Sequence, residues 1–169
     1  MIVLGMGRVG QGLARQAAKH EVPFTPIDRT NGWSAIDDAQ GGEPILVCTN
    51  PDDLSAVIDR IPDCRRSDLV FVQNGMLDTF LSAQGRSGNA RGLLYFAAAS
   101  RGADIQPGGT SIFTGPHAEA VVAWFHSMGL DAERVSRSKF TSEMVEKLMW
   151  NCVFGLLCET KNATVGELV

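Results

Sequence analysis

An α/β fold, with helices on both faces of a mainly parallel sheet, is the fold class that this sequence predicts. Short β-rich apolar runs alternate with longer stretches of helical periodicity along much of the chain. The chain has 169 residues, of which 44% are hydrophobic and 20% are charged, so it is long enough to bury a core without disulfides or a metal. These observations favour a globular protein over a disordered or fibrous one.

The predicted strands and helices follow one another in a regular order. Each strand is bounded by Gly, Pro, Asn or Asp, and the strands are Ile2–Leu4, Phe24–Asp28, Pro44–Cys48, Leu69–Val72 and Leu93–Ala97. The clearest helices lie between them, at Arg8–His20, Pro51–Arg60 and Met76–Gln84. Because Pro51 stands in the first turn of its helix, its missing N–H leaves no hydrogen bond unmade.

The pattern changes after the fifth predicted strand. Ala103–Gln106 and Ser111–Thr114 flank Pro107-Gly108-Gly109, and glycines permit the positive φ angles of a tight turn. We therefore expect a hairpin here, and with it an antiparallel edge to the sheet.

The last third of the chain predicts one further strand and two helices. A helix is expected to begin after Gly115-Pro116 and to end at Gly129. A strand at Asp131–Val135 follows, and a long last helix is expected from near Thr141.

Net charge, hydropathy and cysteine content exclude several function classes. With 15 Lys+Arg against 19 Asp+Glu, the net charge of −4 leaves no positive surplus to displace counterions from a nucleic acid. The apolar runs are far shorter than the ~20 residues of a membrane helix, so we expect no membrane partner. The 4 cysteines show no C-x-x-C spacing, which favours a reducing compartment. Without a recognisable leader, a cytoplasmic location is expected, or an organelle stroma.

The glycine-rich segment after the first predicted strand carries the strongest chemical signal. Its residues are Gly5, Met6, Gly7, Arg8, Val9 and Gly10. Gly5 allows a tight turn, Gly7 lets the backbone approach a pyrophosphate, and Gly10 lets helix and strand pack closely. The helix that follows offers unpaired N–H groups and the positive end of its dipole. The pattern predicts a Rossmann-like dinucleotide site, and a glycine-rich turn without a ligand is the alternative.

The end of the second predicted strand bears on the choice of cofactor. Asp28 lies 18 residues after Gly10, near the spacing of a ribose-binding acid, and Arg29 follows it directly. An acid here binds the ribose hydroxyls of NAD, whereas an arginine accommodates the 2′-phosphate of NADP. A turn cap and a solvated loop charge are the alternative roles of the two residues. The choice between NADP(H) and NAD(H) stays open.

Polar residues recur at every fourth position of the last predicted helix. They are Glu143, Lys147, Asn151, Gly155 and Glu159. The positions between them are mostly apolar, so the helix is expected to be largely buried, and its lysine must pair, reach solvent or face a cavity. One interpretation is an intrahelical Glu143–Lys147 pair. The other is a catalytic Lys147, with Asn151 one turn further able to contact the same substrate oxygen.

Five short segments occur in an order that a known family shares. They are Gly5-x-Gly7-x-x-Gly10, Gln73-Asn74-Gly75, Gly115-Pro116, Glu146-Lys147-Leu148-x-x-Asn151 and Gly166-Glu167-Leu168. In this combination the chain resembles the ketopantoate reductases (2-dehydropantoate 2-reductases) along its whole length. The Lys-Leu-x-x-Asn segment is the most specific of the five.

The resemblance implies an activity and roles for individual residues. The family reduces ketopantoate, a 2-oxo acid, to pantoate with NADPH, in the pathway to pantothenate and coenzyme A. By resemblance, Lys147 is the general acid that protonates the carbonyl oxygen, Asn151 helps to hold the substrate, and Asn74 contacts cofactor and substrate near the nicotinamide. An ammonium suits this role because hydride transfer to a ketone builds negative charge on oxygen.

The chain departs from the family pattern near two of these segments. Thr49-Asn50 stands after the third strand, where the family tends to place a lysine, and Val165 stands where an asparagine tends to precede Gly-Glu-Leu. We still expect Thr49 and Asn50 among the cofactor-binding residues. Only 16 residues separate Asp28 from Ile45, which predicts a loop around Trp33 in place of a longer connection.

Two units are expected, a dinucleotide-binding domain of residues 1–137 and a helix, residues 138–169, that opens a truncated or absent substrate domain. The family carries an all-helical second domain, and this chain ends at Val169. The apolar last helix must then pack on that domain, on the same helix of a second subunit or on the sheet, and a homodimer is the simplest expectation. The alternative function is a non-enzymatic NAD(P)-binding module derived from such a reductase. The scattered histidines show no metal-ligand spacing, so no metal is expected.

Overall fold

A computed structural model describes residues 1–30, 32–37 and 41–168 of the chain, so Val169, the last residue of the second expected unit, lies outside the described residues. The strands are β1 (Ile2–Leu4), β2 (Thr25–Ile27), β3 (Ile45–Val47), β4 (Leu69–Phe71), β5 (Ala90–Leu93), β6 (Phe96–Ala97), β7 (Gln106–Pro107), β8 (Ser111–Thr114) and β9 (Ala132–Arg134). The helices are α1 (Arg8–Lys19), α2 (Ser34–Asp37), α3 (Leu54–Arg60), α4 (Asp78–Ala83), α5 (Ala118–Ser127), α6 (Arg137–Lys161) and α7 (Val165–Leu168).

Seven strands form the main sheet, in the order β2-β1-β3-β4-β5-β8-β9. The first five strands of this order run parallel to one another, β8 is antiparallel to β5, and β9 is parallel to β8. The predicted α/β class and the mainly parallel, Rossmann-like sheet are therefore confirmed. Because the carboxyl ends of β1 to β5 meet at one edge, the residues that follow these strands lie along that edge.

The side chains of the central strands alternate between the two faces of the sheet, and each face carries its own core. Val3 packs with α1 and α5 residues such as Leu13 and Phe125 on one face. Ile2 and Leu4 pack on the other face, where α2, α3 and α4 lie. Helices therefore cover both faces, as the alternation of elements predicts.

The fifth strand lies earlier than the sequence predicts. The expected strand Leu93–Ala97 is wrong, because β5 is Ala90–Leu93 and Phe96–Ala97 pairs with Gln106–Pro107 in a separate two-stranded sheet. Arg91 is buried in β5 because its guanidinium binds the Asp78 carboxylate at 2.8 Å. Gly92 fits there because a Cβ at this position would lie 2.4 Å from the Phe113 ring. Neither residue type signals a buried strand in the sequence.

The predicted hairpin between Ala103–Gln106 and Ser111–Thr114 is wrong as well. Gln106–Pro107 pairs with β6, whereas β8 is inserted between β5 and β9 in the main sheet. Gly109, at φ +144°, stands between the two segments and lets the chain change sheets. The antiparallel pairing that the sequence predicts at this end of the sheet is present, but it joins β8 to β5.

The expected loop around Trp33 contains the short helix α2, although only part of this connection is described. Helix α6 begins at Arg137 rather than near Thr141, because the Ser136 hydroxyl accepts a hydrogen bond from the Lys139 N–H at 3.2 Å and caps it.

Helix α6 is largely exposed over its second half, so the expectation of a mostly buried helix is wrong. Phe140 and Met144 are buried against the end of the sheet, in a small cluster with Leu93, Ile112 and Val135. Beyond them the large apolar side chains are exposed, and these are Val145, Met149, Trp150, Val153, Leu156 and Leu157. The sheet edge is too short to cover a helix of 25 residues. Of the described helices, none has the length and apolarity to cross a bilayer.

Candidate functional site

The glycine-rich segment forms the turn between β1 and α1, and two of its glycines leave no space for a side chain. Gly5 has φ +100°, and a Cβ there would lie 2.8 Å from the Thr49 nitrogen. A Cβ on Gly10 would lie 2.1 Å from the Gly5 carbonyl oxygen. Gly7 differs, because a Cβ there meets no atom within 4 Å. The loop therefore packs tightly against the sheet and leaves open space above Gly7.

The first turn of α1 is suited to an anion. Gly7 is the N-cap residue, no side chain caps the helix, and its first turn holds no acidic residue. Unpaired backbone N–H groups and the positive end of the helix dipole therefore point out of the sheet edge above Gly7. This is the backbone arrangement that binds the pyrophosphate of a dinucleotide in α/β folds.

A cleft of about 800 Å³ opens at this edge of the sheet. It brings together eight of the residues that the sequence singles out, namely Gly5, Met6, Gly7, Arg8, Asp28, Arg29, Thr49 and Asn50. Val9, Gly10, Asn74, Lys147 and Asn151 are not part of its wall. Val9 and Gly10 lie inside α1, where Gly10 supports the turn from below.

Arginine and tryptophan side chains complete the cleft, and sequence reasoning missed them. They are Trp33, Arg60 and Arg101. The Arg60 guanidinium lies 5.4 Å from the Trp33 ring centroid and binds both carboxylate oxygens of Asp37, at 3.0 and 2.8 Å. No short-range sequence signal joins α2 to α3, so only the tertiary structure reveals this wall.

Asp28 and Arg29 lie where the sequence expects them, after β2 and in the cleft wall. The Asp28 carboxylate accepts a hydrogen bond from the Thr30 N–H at 2.7 Å, so it shapes the turn as well as facing the cleft. Arg29 has no carboxylate partner among the described residues, which leaves its guanidinium available to a ligand phosphate.

The third and fourth strands end in a polar junction. The buried Gln73 side chain donates to the Val47 carbonyl oxygen at 2.8 Å and to the Thr49 carbonyl oxygen at 3.1 Å. The Thr49 hydroxyl and the Gln73 Oε1 are buried without a partner among the described residues. Asn74 follows at the same edge, with an exposed side chain and with Gly75 at φ +95° behind it. Gln73 therefore fixes the edge from which Asn74 projects.

Lys147 is held at the carboxyl end of β5. Its ammonium donates to the Leu94 carbonyl oxygen at 2.6 Å and lies 4.9 Å from the centroid of the Tyr95 ring. Partial burial lowers the pKa of Lys147 below the usual 10.5, because desolvation penalises the charged form. Among the described residues Lys147 forms no ion pair with Glu143, so the intrahelical pair is not the arrangement found.

Glu143 contacts Tyr95 in place of Lys147. The pKa of Tyr95 is raised, mainly by burial and then by the nearby Glu143 and Glu146 carboxylates. A hydrogen bond from the Tyr95 hydroxyl to Glu143 contributes last. Asn151 lies one turn after Lys147 and its side chain is exposed. The structure therefore places the partly buried Lys147 side chain at the end of β5, with Asn151 further along the same helix.

The candidate residues form a row because five parallel strands end at one edge. Asp28 follows β2, Gly5 follows β1, and Thr49 follows β3. Beyond them Asn74 follows β4, and Lys147 is bound to the residue after β5. Across this row an extended ligand can reach from the cleft towards the ammonium. Of the described residues, no group of three or more His, Cys, Asp or Glu could hold a metal.

No family model and no curated protein matches this sequence. Solved structures do match its fold. The 2-dehydropantoate 2-reductase of Methylococcus capsulatus aligns with a TM-score of 0.67 and 15% identity, over 96% of this chain and 64% of that one. A dimeric ketopantoate reductase of Staphylococcus aureus aligns with a TM-score of 0.67 and 13% identity, over 99% and 70%. This chain has the fold of the ketopantoate reductases.

The ketopantoate reductase fold is shared with other oxidoreductases. A D-mandelate dehydrogenase solved with NADH aligns with a TM-score of 0.64 and 12% identity, over 94% of this chain and 63% of that one. The chain spans about two thirds of the length of the three proteins, between 63% and 70%. At these identities the matches establish the fold, so the chemistry must be argued from the residues.

Proposed function

We propose that this chain reduces a 2-oxo acid of the ketopantoate type to the 2-hydroxy acid, with NADPH as the hydride donor and Lys147 as the general acid. The observation that carries the proposal is the row of groups at one sheet edge, which runs from Asp28 and the glycine-rich turn to a half-buried lysine. The fold neighbours support an oxidoreductase, and the order of short motifs supports this substrate class. The product is pantoate, a precursor of pantothenate, and the expected location is the cytoplasm.

The residues present fit a nicotinamide dinucleotide. Gly7 leaves open space at the uncapped end of α1, as a close approach of the pyrophosphate requires. Arg29 beside Asp28 offers a cation to a 2′-phosphate, which favours NADP(H), while Asp28 keeps NAD(H) as the second choice. Asn74, at the end of β4, is assigned to the nicotinamide end of the ligand. When bound, the cofactor supplies the hydride.

The chain's own residues supply the proton and the orientation. As negative charge develops on the substrate carbonyl oxygen, the Lys147 ammonium stabilises it and then donates its proton. The lowered pKa of Lys147 favours this transfer, because a less basic amine gives up its proton more readily. The Leu94 carbonyl and the Tyr95 ring hold the ammonium at the end of β5. Asn151 is assigned to holding the substrate.

We assign the apolar face of α6, defined as Met149, Trp150, Val153, Leu156 and Leu157, to contact with the same face in a second copy of the chain. These five side chains are between 40% and 68% exposed, which is unusual for a continuous helix face in water. Trp150 stacks on Phe154 with ring centroids 4.4 Å apart, which helps to fix the position of the Trp150 ring on this face. The S. aureus neighbour is a dimer. The alternative occupant of this face is an additional helical domain. A monomeric chain in solution would favour that alternative over a second copy.

The alternative function is an NAD(P)-binding module without catalysis. The exposed Asn151 side chain and the uncovered half of α6 favour it, because the described residues build only one wall around Lys147. Such a module would use the cleft but not the lysine. Both functions therefore require dinucleotide binding in the cleft, and only the reductase requires Lys147.

One experiment separates them. The loss of NADPH absorbance is followed when ketopantoate is added to the parent chain, to Lys147→Ala and to the control Lys161→Ala, which changes an exposed lysine on the same helix. The reductase proposal expects turnover in the parent and in the control, its loss in Lys147→Ala, and equal NADPH affinity in all three. Equal turnover in Lys147→Ala and the parent overturns the role of Lys147. NADPH binding without turnover in the parent supports the binding module.

A further inference from the structure

The segment between β6 and β7 lies along one side of α1. A Cβ on Gly12 of α1 would lie 3.1 Å from the Ile105 Cγ1 and 3.5 Å from the Ala98 Cβ. Both ends of the segment therefore touch the same helix residue, and Ile105 is 8% exposed in the core beneath it. The small two-stranded sheet thus attaches a surface loop to the helix whose first turn faces the cleft.

Ion pairs fasten the same loop to the far end of α1. The Asp104 carboxylate binds the Arg15 Nε at 2.9 Å and the Lys19 Nζ at 3.0 Å. Hydrogen bonds from Lys19 and Arg15 lower the pKa of Asp104, so the carboxylate stays charged over the neutral pH range. Apolar packing at Ile105 and charge at Asp104 therefore fix the direction in which the loop approaches the cleft.

This attachment brings Arg101 into the wall of the cleft. Its neighbour Gly102 lies beside α1, since a Cβ there would be 3.8 Å from the Gln11 Oε1. Gln11 is one turn from the start of the helix, where its N–H binds the Gly7 carbonyl oxygen at 3.0 Å. Arg101 therefore enters from the side of the glycine-rich turn, whereas Arg29 enters the cleft wall from the segment after β2.

The charge of Arg101 is available to a ligand. Arg60, in the same wall, is bound by the Asp37 carboxylate through two hydrogen bonds. Arg101 has no ion-pair partner in the part of the chain that the structure describes, and its side chain is exposed to the cleft. A guanidinium in this position can bind two phosphate oxygens at once, beside the backbone N–H groups at the start of α1.

We infer that Arg101 binds the pyrophosphate of the dinucleotide beside the glycine-rich turn and adds a side-chain cation to the backbone N–H groups of that turn. The inference rests on the proposed dinucleotide function and adds a residue that lies far from the glycine-rich motif in the sequence. The two arginines then bind different groups of the ligand: Arg101 binds the pyrophosphate and Arg29 binds the 2′-phosphate. Arg101 therefore acts equally on NADPH, NADH and ADP-ribose, which share the pyrophosphate.

The test measures the affinities of NADPH, ADP-ribose and adenosine 2′-monophosphate by calorimetry for the parent, Arg101→Gln and Arg29→Gln. ADP-ribose has the pyrophosphate but no 2′-phosphate. Adenosine 2′-monophosphate has the 2′-phosphate but no pyrophosphate. Arg101→Gln is expected to weaken NADPH and ADP-ribose by about tenfold or more and to spare the monophosphate, since a hydrogen bond to a charged group is worth at least that factor. Arg29→Gln is expected to weaken NADPH and the monophosphate and to spare ADP-ribose.

Two controls keep the outcomes distinct. Arg134→Gln changes an exposed arginine on β9, remote from the cleft, and should leave all three affinities unchanged. Arg101→Lys keeps the charge and should retain part of the ADP-ribose affinity. Unchanged ADP-ribose binding in Arg101→Gln overturns the inference while leaving the dinucleotide site intact. A parent chain that binds neither NADPH nor ADP-ribose overturns the proposed function and the inference together.

Discussion

The ammonium nitrogen of Lys147 on α6 lies 4.9 Å from the centroid of the Tyr95 ring, in the segment that follows β5. The same ammonium donates to the Leu94 carbonyl oxygen at 2.6 Å, and the Tyr95 hydroxyl is bonded to Glu143 one turn earlier on the helix. These contacts fix the start of α6 on the end of the sheet. They also hold a cation in a partly desolvated place at the edge where the candidate ligand site lies.

Lys147 is expected to lose its proton at a pH below the usual lysine value of 10.5, because burial disfavours its charged form. Reductive ¹³C-methylation labels the lysines, and the pH dependence of each NMR signal gives its pKa, with Lys147→Arg used for assignment. If Lys147 is the general acid, turnover falls as the pH rises through this lowered pKa, since only the protonated amine can donate. A pKa of Lys147 at or above 10.5 would contradict the desolvated environment.

Replacing Tyr95 by leucine should lower the pKa of Lys147 further, because the aromatic face stabilises the ammonium and an aliphatic side chain does not. Tyr95→Phe keeps the ring, loses the hydrogen bond to Glu143, and should leave the pKa of Lys147 closer to that of the parent. The same NMR titration measures both. A larger shift in Tyr95→Phe than in Tyr95→Leu would mean that the hydroxyl and not the ring governs the lysine.

The glycines of the turn after β1 should separate stability from binding. Gly10→Ala places a Cβ 2.1 Å from the Gly5 carbonyl oxygen, so it should destabilise the fold by about 1–3 kcal/mol in urea unfolding. Gly7→Ala meets no atom within 4 Å and has an ordinary φ of −79°, so its unfolding free energy should stay close to that of the parent. NADPH affinity should fall in Gly7→Ala because the methyl group occupies the space of the pyrophosphate. Full NADPH binding by Gly7→Ala would argue against a ligand at this turn.

Arg65 and Asp68 form a buried ion pair with 2.6 Å between the guanidinium Nε and the carboxylate, and both side chains are nearly inaccessible. Asp68→Ala leaves the Arg65 charge buried without its partner, so it should cost about 3–5 kcal/mol of unfolding free energy. Asp63→Ala is the matched control, because Asp63 pairs with Arg66 but its side chain is 89% exposed. Its effect should be within about 1 kcal/mol. Equal losses in the two variants would show that burial does not govern the strength of these pairs.

The apolar face of α6 should make the chain self-associate. Sedimentation equilibrium of the parent is expected to give twice the monomer mass, and Val153→Glu should give a monomer, because a carboxylate in the centre of that contact loses its hydration. Glu159→Gln, which changes an exposed residue on another face of the same helix, should leave the dimer intact. A monomeric parent would contradict contact between two copies and favour a different partner for this face.

Local sequence patterns were sufficient to predict the central strands of the sheet and the turn from β1 to α1. The apolar runs that contain β1, β3 and β4, and the glycines between β1 and α1, are short signals whose meaning depends on neighbouring residues alone. Parallel strands then require that Asp28, Gly5 and Thr49 meet at one edge, so the sequence predicts the neighbourhood before any contact is known. The same reasoning failed at β5, where the pairing of Arg91 with Asp78 compensates for a buried charge.

The sequence by itself determined the α/β class, the glycine-rich turn after β1 and the candidate lysine, because each is encoded by residues a few positions apart. Only the tertiary structure decided that Trp33 and Arg60 form one wall of the cleft, that Arg101 lines it from a loop beside α1, and that Lys147 contacts Tyr95 rather than Glu143. These contacts join different elements, and their geometry follows from how the sheet and helices pack. Residues that meet only through packing leave no periodic pattern along the chain.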